Sequence, residues 1–170
     1  MNSKTVFIFA FFSAVLMYGC ASPSYTVETE PGGAKIIKGL FDRDVFKNDT
    51  LCSWFKYNYD SYALDSASII EMKPLLNEFH FIVVLGTWCG DSKREVPKQL
   101  KIFDVAGVAE NKIMIFGVDR SKKSPDGTTD KYNVLRVPTL IVMKGGEEVG
   151  RIVENPRTSQ EKDLLHLLQK

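Results

Sequence analysis

Two runs of consecutive apolar residues, at 81–85 and 113–118, stand out along the chain. Both contain β-branched side chains and are bounded by polar residues or glycine, a pattern typical of strands buried on both faces. Between them, residues 92–106 place Val96, Leu100 and Phe103 at spacings of four and three, as on the inner face of a helix. The order strand, helix, strand predicts a parallel crossover.

Further elements are expected on the C-terminal side of this unit. Strand-like runs at 139–143 and 148–153 flank a Gly-Gly pair at 145–146, which predicts a β-hairpin. A short helix is expected around 129–133, and leucines at helical spacing predict an amphipathic helix at 159–168. The pattern therefore predicts an α/β fold, with a central mixed β-sheet flanked by helices.

Residues 39–78 have the periodicity of helices. Asp49 and Asp65 are the expected N-caps of two of them, and Pro74 is expected to kink or end the second. An aromatic cluster at 54–62 is expected to pack this N-terminal helical extension against the rest of the protein. Residues 20–38 are rich in Ser, Pro, Thr, Glu and Gly, which predicts a flexible tether.

The first 19 residues have the features of a signal peptide. Lys4 precedes an apolar stretch that is shorter than the ~20 residues needed to span a bilayer. The segment ending in Gly19 and Cys20 resembles the lipobox of bacterial lipoproteins, which implies cleavage before Cys20 and a lipid on its sulfur. An ordinary secretory signal and an uncleaved anchor remain as alternatives. The first interpretation predicts a lipid-anchored protein of the cell envelope, facing the periplasm or the exterior.

Composition narrows the list of partners and cofactors. The formal net charge is +1, from 22 basic and 21 acidic residues among 170, and no basic block is present. We therefore expect no nucleic-acid partner. Three cysteines and two histidines, without ligand spacing, predict neither a disulfide scaffold nor a metal site. No cofactor is expected.

The strongest chemical signal is Cys89, which lies between the first buried strand and the helix that follows it. Unpaired N–H groups and the positive pole of the dipole at a helix N-terminus favour a sulfur anion there. Lys93 and Arg94 also favour the thiolate, whereas Asp91 opposes it. Asp91 has a second interpretation, as an ordinary first-turn acid that stabilises the helix.

The residues around Cys89 resemble a known active site. The sequence Trp-Cys-Gly-Asp-Ser at 88–92, with Pro97 beyond it, resembles the W-C-G-P-C motif of thioredoxins and their helix proline. Residues 132–140 look like the thioredoxin segment that ends in the cis-proline, and residues 144–147 look like its hairpin turn. The resemblance covers about 79–170 and implies a thioredoxin-like domain there.

The chemistry that this resemblance implies is thiol–disulfide exchange. Cys89 would attack a disulfide and form a mixed disulfide with its partner, a thiol- or disulfide-bearing protein or a small thiol. Pro138 would be cis and lie against Cys89, and the backbone of Val137 would pair with an extended peptide. Trp88 would shield the sulfur. The residues implied to contact substrate are Trp88, Gly90, Asp91, Val137 and Pro138.

Two departures from the thioredoxin pattern agree with one another. Ser92 occupies the position of the resolving cysteine, and Val83 occupies that of the buried acid thought to deprotonate it. Ser92 could still donate a hydrogen bond to the Cys89 thiolate, so Cys89 and Ser92 are the two catalytic candidates. Release of a trapped partner would need an external thiol. Cys52 is an alternative internal resolver, although an isolated cysteine is more often a small buried apolar residue.

Two other functions are consistent with the same residues. One is a redox-inactive thioredoxin-fold module that binds extended peptides beside Pro138. The other follows from the form C-G-x-S at 89–92, which resembles monothiol glutaredoxins that bind glutathione and an iron–sulfur cluster. Trp88 and the downstream hairpin argue against the second.

Overall fold

The computed structural model describes residues 24–170. The signal peptide predicted at 1–19 and the lipidation predicted at Cys20 lie outside these residues. Within them, no helix is long and apolar enough to cross a membrane. The strands are β1 (Ser24–Thr29), β2 (Lys35–Phe41), β3 (Phe79–Leu85), β4 (Ile113–Gly117), β5 (Thr139–Lys144) and β6 (Glu147–Val153). The α-helices are α1 (Asp49–Ser61), α2 (Ser66–Met72), α3 (Gly90–Ala106), α4 (Thr128–Lys131) and α5 (Gln160–Leu168), with short 3-10 turns at Arg43–Lys47, Leu76–Glu78 and Glu110–Lys112.

The six strands form a single mixed sheet in the order β1-β2-β4-β3-β5-β6. β3 and β4 are parallel neighbours, joined through α3, and the other neighbouring pairs are antiparallel. The predicted crossover and the predicted β5–β6 hairpin are therefore present. The fold is α/β and thioredoxin-like, as the sequence predicted.

The central strand β3 divides the apolar core into two clusters. Phe81, Val83 and Leu85 point to the cluster that α1, α2, α3 and α5 cover, and all three are fully buried. Ile82 and Val84 point to a smaller cluster on the other face, which the segment leading into β5 covers. Burial on both faces explains the unbroken apolar run, because each fully buried side chain of this size stabilises the fold by roughly 1.5–3 kcal/mol.

The predicted flexible tether is wrong from Ser24 onward. Residues 24–29 and 35–41 form a β-hairpin, and β2 continues the main sheet by pairing with β4. The boundary predicted at 38/39 falls inside β2, so the extension is not purely helical. A half-buried strand is recognised by alternating apolar and polar residues, and neither strand of this hairpin alternates in burial. β1 is exposed on both faces, whereas adjacent Ile36 and Ile37 in β2 are both buried.

The helix boundaries show smaller differences. The N-cap of α1 is Asn48, whose side chain accepts a hydrogen bond from the Thr50 N–H over 3.0 Å, rather than Asp49. Asp65 caps α2 as predicted, and α2 ends at Met72, just before Pro74. Helix α3 begins two residues earlier than predicted, which makes Cys89 its N-cap.

Candidate functional site

Cys89 lies at the turn where β3 passes into α3. Its N–H donates to the Gly86 carbonyl over 2.8 Å, and its own carbonyl accepts from the Lys93 N–H over 3.1 Å as the helix begins. The side chain is half-buried. The sulfur therefore sits at the N-terminal end of a 17-residue helix, where unpaired N–H groups and the helix dipole stabilise negative charge.

The segment before β5 faces this sulfur. The Val137–Pro138 peptide bond is cis, and the Cys89 thiol lies 3.4 Å from the Val137 carbonyl oxygen, within reach of a weak S–H hydrogen bond. Both Val137 and Pro138 are buried. Within residues 24–170, the Val137 N–H donates to no acceptor. The structure thus brings together the cysteine and the proline that the resemblance paired.

Trp88 is held beside the sulfur by contacts around its indole. The indole N–H donates to the Val118 carbonyl over 3.0 Å, and the Arg120 guanidinium lies 5.2 Å from the ring centroid. The ring also lies against Gly86, where an added Cβ would come within 2.6 Å of the indole. Only glycine at this position leaves room for the ring in its observed place.

The other motif residues have different environments. Ser92 is fully buried, and its hydroxyl oxygen accepts from the Gly86 N–H over 3.2 Å. The described contacts include no hydrogen bond from Ser92 to the Cys89 sulfur. Gly90 is exposed, and a Cβ there would meet nothing within 4 Å, so the surface beside the sulfur is open. Asp91 forms an ion pair with Arg94 over 2.6 Å, in keeping with a first-turn acid.

Cys52 is poorly placed to act as an internal resolver. It is 1% exposed and belongs to the larger core cluster, whereas Cys89 packs against the smaller one. Burial raises the pKa of the Cys52 thiol to about 12, and the positive charge of Lys93 offsets only part of this increase. Such a thiol is almost entirely protonated near neutral pH, so the structure favours the role of a small buried apolar side chain.

Sequence reasoning missed Thr87, which links the turn before Cys89 to the N-terminal hairpin. Its buried hydroxyl donates to the Lys35 carbonyl over 2.8 Å and accepts from the Ile37 N–H over 3.2 Å. Strand β2 therefore holds the residue directly before Trp88. No local pattern could reveal this contact, because its partners lie about fifty residues away in an unpredicted strand.

A buried carboxylate on α3 was missed as well. Glu95 lies on α3 and accepts a hydrogen bond from the Gln160 side chain of α5 over 3.0 Å. It also forms ion pairs with Arg94 over 2.7 Å and Lys98 over 3.0 Å. Burial alone would raise the pKa of Glu95, but the bonds from Gln160, Lys98 and Arg94 outweigh it and hold the pKa below its ordinary value.

The variant Glu95→Gln is expected to lower the free energy of unfolding by about 1–3 kcal/mol at pH 7, because Lys98 and Arg94 lose their counter-charge. The folded-state pKa of Glu95 is depressed, so its stabilising effect is present above the unfolded value of 4.5 and is lost as pH falls through the folded value. The difference from the wild type should therefore shrink as pH falls below 4.5. Urea unfolding at pH 7 and at pH 3 measures this. An exposed acid on α2 serves as the control, in Glu71→Gln, and an equal loss for Glu95→Gln at both pH values would contradict the assignment.

Comparison with known proteins adds sequence relatives. No family model matches the chain. It is 37% identical over 68 residues to a thioredoxin of Staphylococcus epidermidis, which covers 40% of this chain and 61% of the relative. A thioredoxin of Echinococcus granulosus is 34% identical over 68 residues, covering 40% and 58%. The chain thus spans about three fifths of the length of the curated relatives that it matches.

Solved structures show only a weak overall likeness. The oxidised mitochondrial thioredoxin 3 of Saccharomyces cerevisiae aligns with a TM-score of 0.38 at 20% identity, covering 66% of this chain and 97% of that one. The similarity that does carry weight is the sequence identity to thioredoxins over part of the chain.

Proposed function

We propose, from this similarity to thioredoxins and from the surroundings of Cys89, that the protein carries out thiol–disulfide exchange with Cys89 as its only active-site thiol. One observation carries the proposal. The half-buried sulfur lies at the N-terminus of α3 and 3.4 Å from the Val137 carbonyl, while Ser92 occupies the position of a second thiol. Reactive cysteines lie in surroundings that favour the anion and admit a partner.

The reaction has two exchanges. The Cys89 thiolate attacks one sulfur of a partner disulfide, a new S–S bond forms to Cys89, and the other partner sulfur leaves as a thiolate that takes a proton from water. An external thiolate then attacks the partner sulfur in the mixed disulfide. That step forms a disulfide between the partner and the external thiol, and returns Cys89 to its thiolate. Ser92 has no sulfur with which to perform the second exchange.

The surface beside the sulfur suits an extended peptide. The free N–H of Val137 offers one main-chain hydrogen bond, and the open space over Gly90 leaves room for a chain to pass. The Trp88 ring borders this surface beside Cys89. A partner protein with an extended, disulfide-bearing segment is therefore the proposed substrate class.

The proposed location is the cell envelope, with a lipid on Cys20. Strand β1 runs from Ser24, which pairs with Leu40, toward the end of the sheet where Lys35 meets Thr87. Through Leu40 and Phe116, Ser24 lies level with Val84 of β3, one residue before that strand ends. The segment ending in Gly19 and Cys20, which resembles a lipobox, supports this location. Labelling cells with a radioactive fatty acid tests this, and a label that survives in Cys20→Ala would sink the idea.

The proposed function is tested by reacting the purified protein with an extended peptide disulfide, quenching in acid, alkylating and analysing by mass spectrometry without reductant. We expect a single adduct at Cys89, stable until glutathione is added, and none in Cys89→Ser. Absence of an adduct in the wild type would overturn the proposal. Peptide binding without an adduct would instead support the peptide-binding module, and a coloured purified protein would support iron–sulfur binding.

A further inference from the structure

We propose that the ion pair between Glu30 and Arg120 is a positioning device for Trp88, through which the β1–β2 hairpin sets how well extended disulfide partners reach Cys89. The inference rests on the proposed function for its consequence, but not for its structural part. Neither residue belongs to the active-site motif. Glu30 comes from the segment predicted to be a flexible tether, and Arg120 comes from the loop that follows β4.

The first observation is the ion pair itself. Glu30 lies in the turn between β1 and β2, where its backbone N–H donates to the Ala34 carbonyl over 2.9 Å. Two nitrogens of the Arg120 guanidinium donate to the two oxygens of its carboxylate, the Nη2 bond over 2.7 Å. The bond from Arg120 lowers the pKa of Glu30, so the carboxylate remains charged near neutral pH. This two-pronged geometry fixes the plane of the guanidinium.

The second observation is the contact between the Arg120 guanidinium and the Trp88 ring. It lies 5.2 Å from the centroid of the Trp88 ring, a distance at which a cation attracts an aromatic face. The same loop also binds the ring through Val118, whose carbonyl accepts from the indole N–H and whose N–H donates to Leu85 over 2.9 Å. Trp88 is therefore restrained by one loop through both its polar atom and its face.

The third observation is that two links of different burial join the β1–β2 hairpin to the turn before Cys89. One runs through Thr87 and the other through Arg120. The Thr87 link is buried and holds the backbone. The Arg120 link is partly exposed, with side-chain exposures of 59% for Arg120 and 21% for Glu30. A buried link stabilises the fold, whereas an exposed one of modest strength can be broken without unfolding the protein. Only the second can therefore tune the position of Trp88 separately from the fold.

The consequence is a selective effect on large partners. A small reagent needs no binding surface for a chain, and Gly90, the residue next to Cys89, is exposed with open space at its Cβ position. An extended peptide needs the ring as part of its binding surface, so loss of the ring position reduces its rate of attack. Because exposed ion pairs and cation–π contacts are each modest, the expected reduction is about threefold to tenfold.

The experiment uses Glu30→Gln and Arg120→Lys, with two readouts. The chain has two tryptophans, so the ¹H–¹⁵N spectrum contains two indole signals. We expect the Trp88 signal to shift and its hydrogen exchange to accelerate about threefold to tenfold, while the Trp54 signal stays in place. The rate of mixed-disulfide formation with the peptide should fall about threefold to tenfold, and alkylation by iodoacetamide should stay within about twofold.

The matched control is Glu78→Gln, which removes an exposed acid that pairs with Lys144 over 2.7 Å at the far end of the sheet. It should leave both indole signals and both rates unchanged. An unmoved Trp88 signal in both test variants would overturn the proposal, as would an equal fall in the peptide and iodoacetamide rates. If the wild type forms no mixed disulfide, the proposed function fails, and the indole spectrum still decides whether Glu30 and Arg120 position Trp88.

Discussion

Replacing Ser92 by cysteine is expected to shorten the lifetime of the mixed disulfide at Cys89 by at least about 100-fold, because a thiol one helical turn away attacks as an intramolecular group. Ser92 lies in the first turn of α3, three residues after Cys89, and is fully buried. The variant should therefore release a peptide partner without added glutathione. Non-reducing mass spectrometry at timed intervals after adduct formation measures the lifetime, and should reveal an internal 89–92 disulfide.

The control for this gain of function is Ser92→Ala. It removes the hydroxyl that accepts from the Gly86 N–H but adds no thiol, so the adduct should be as long-lived as in the wild type. If the Ser92→Cys adduct also persists, the absent second thiol is not what limits release, and the proposed dependence on an external thiol is wrong.

Replacing Gly117 by alanine is expected to lower the free energy of unfolding by about 2–3 kcal/mol, through a clash in a packed region. A Cβ on Gly117 would come within 2.2 Å of the Ile37 carbonyl oxygen and 2.8 Å of its carbon. Backbone atoms in the middle of a sheet cannot rotate aside, so β2 would have to move away from β4. Urea unfolding followed by circular dichroism measures the loss.

Gly90→Ala is the matched control for this substitution. A Cβ at Gly90 meets nothing within 4 Å, and the residue begins helix α3, so alanine should be neutral or stabilise by up to about 1 kcal/mol. A Gly117→Ala variant as stable as Gly90→Ala would show that β2 is not packed against β4 as described. The contrast between the two glycines is thus a direct test of the hairpin.

The elements that could be predicted were those with strong local patterns. The apolar run that became β3, the helical spacing of α3 and the Gly-Gly turn of the β5–β6 hairpin each depend on neighbouring residues. The β1–β2 hairpin could not be predicted in this way. Its stability depends on pairing with β4, whose Gly117 lies opposite Gly39 but far along the chain. Such long-range pairing leaves only a weak local signal.

The residues of the candidate site likewise fall into those that a local motif identified and those that only distant contacts revealed. Cys89, Trp88 and Ser92 were identified from a short motif, and Val137 and Pro138 from a second one. The restraints on Trp88 were not identified, since Glu30 and Arg120 are ninety positions apart and either alone reads as an ordinary surface charge. Glu95 was missed because a charged residue on a helix is usually exposed, whereas here Gln160 and two basic side chains make its burial tolerable.

The sequence by itself determined the α/β class, the place of Cys89 at a strand-to-helix turn and the serine three residues after it, since each depends on residues close together in the chain. Only the tertiary structure decided that residues 24–41 belong to the sheet, that Cys52 is buried in the core and that the hairpin reaches Trp88. The physical reason is that burial and ion pairing depend on which distant segments meet. The local periodicity of apolar residues does not indicate which distant segments come into contact.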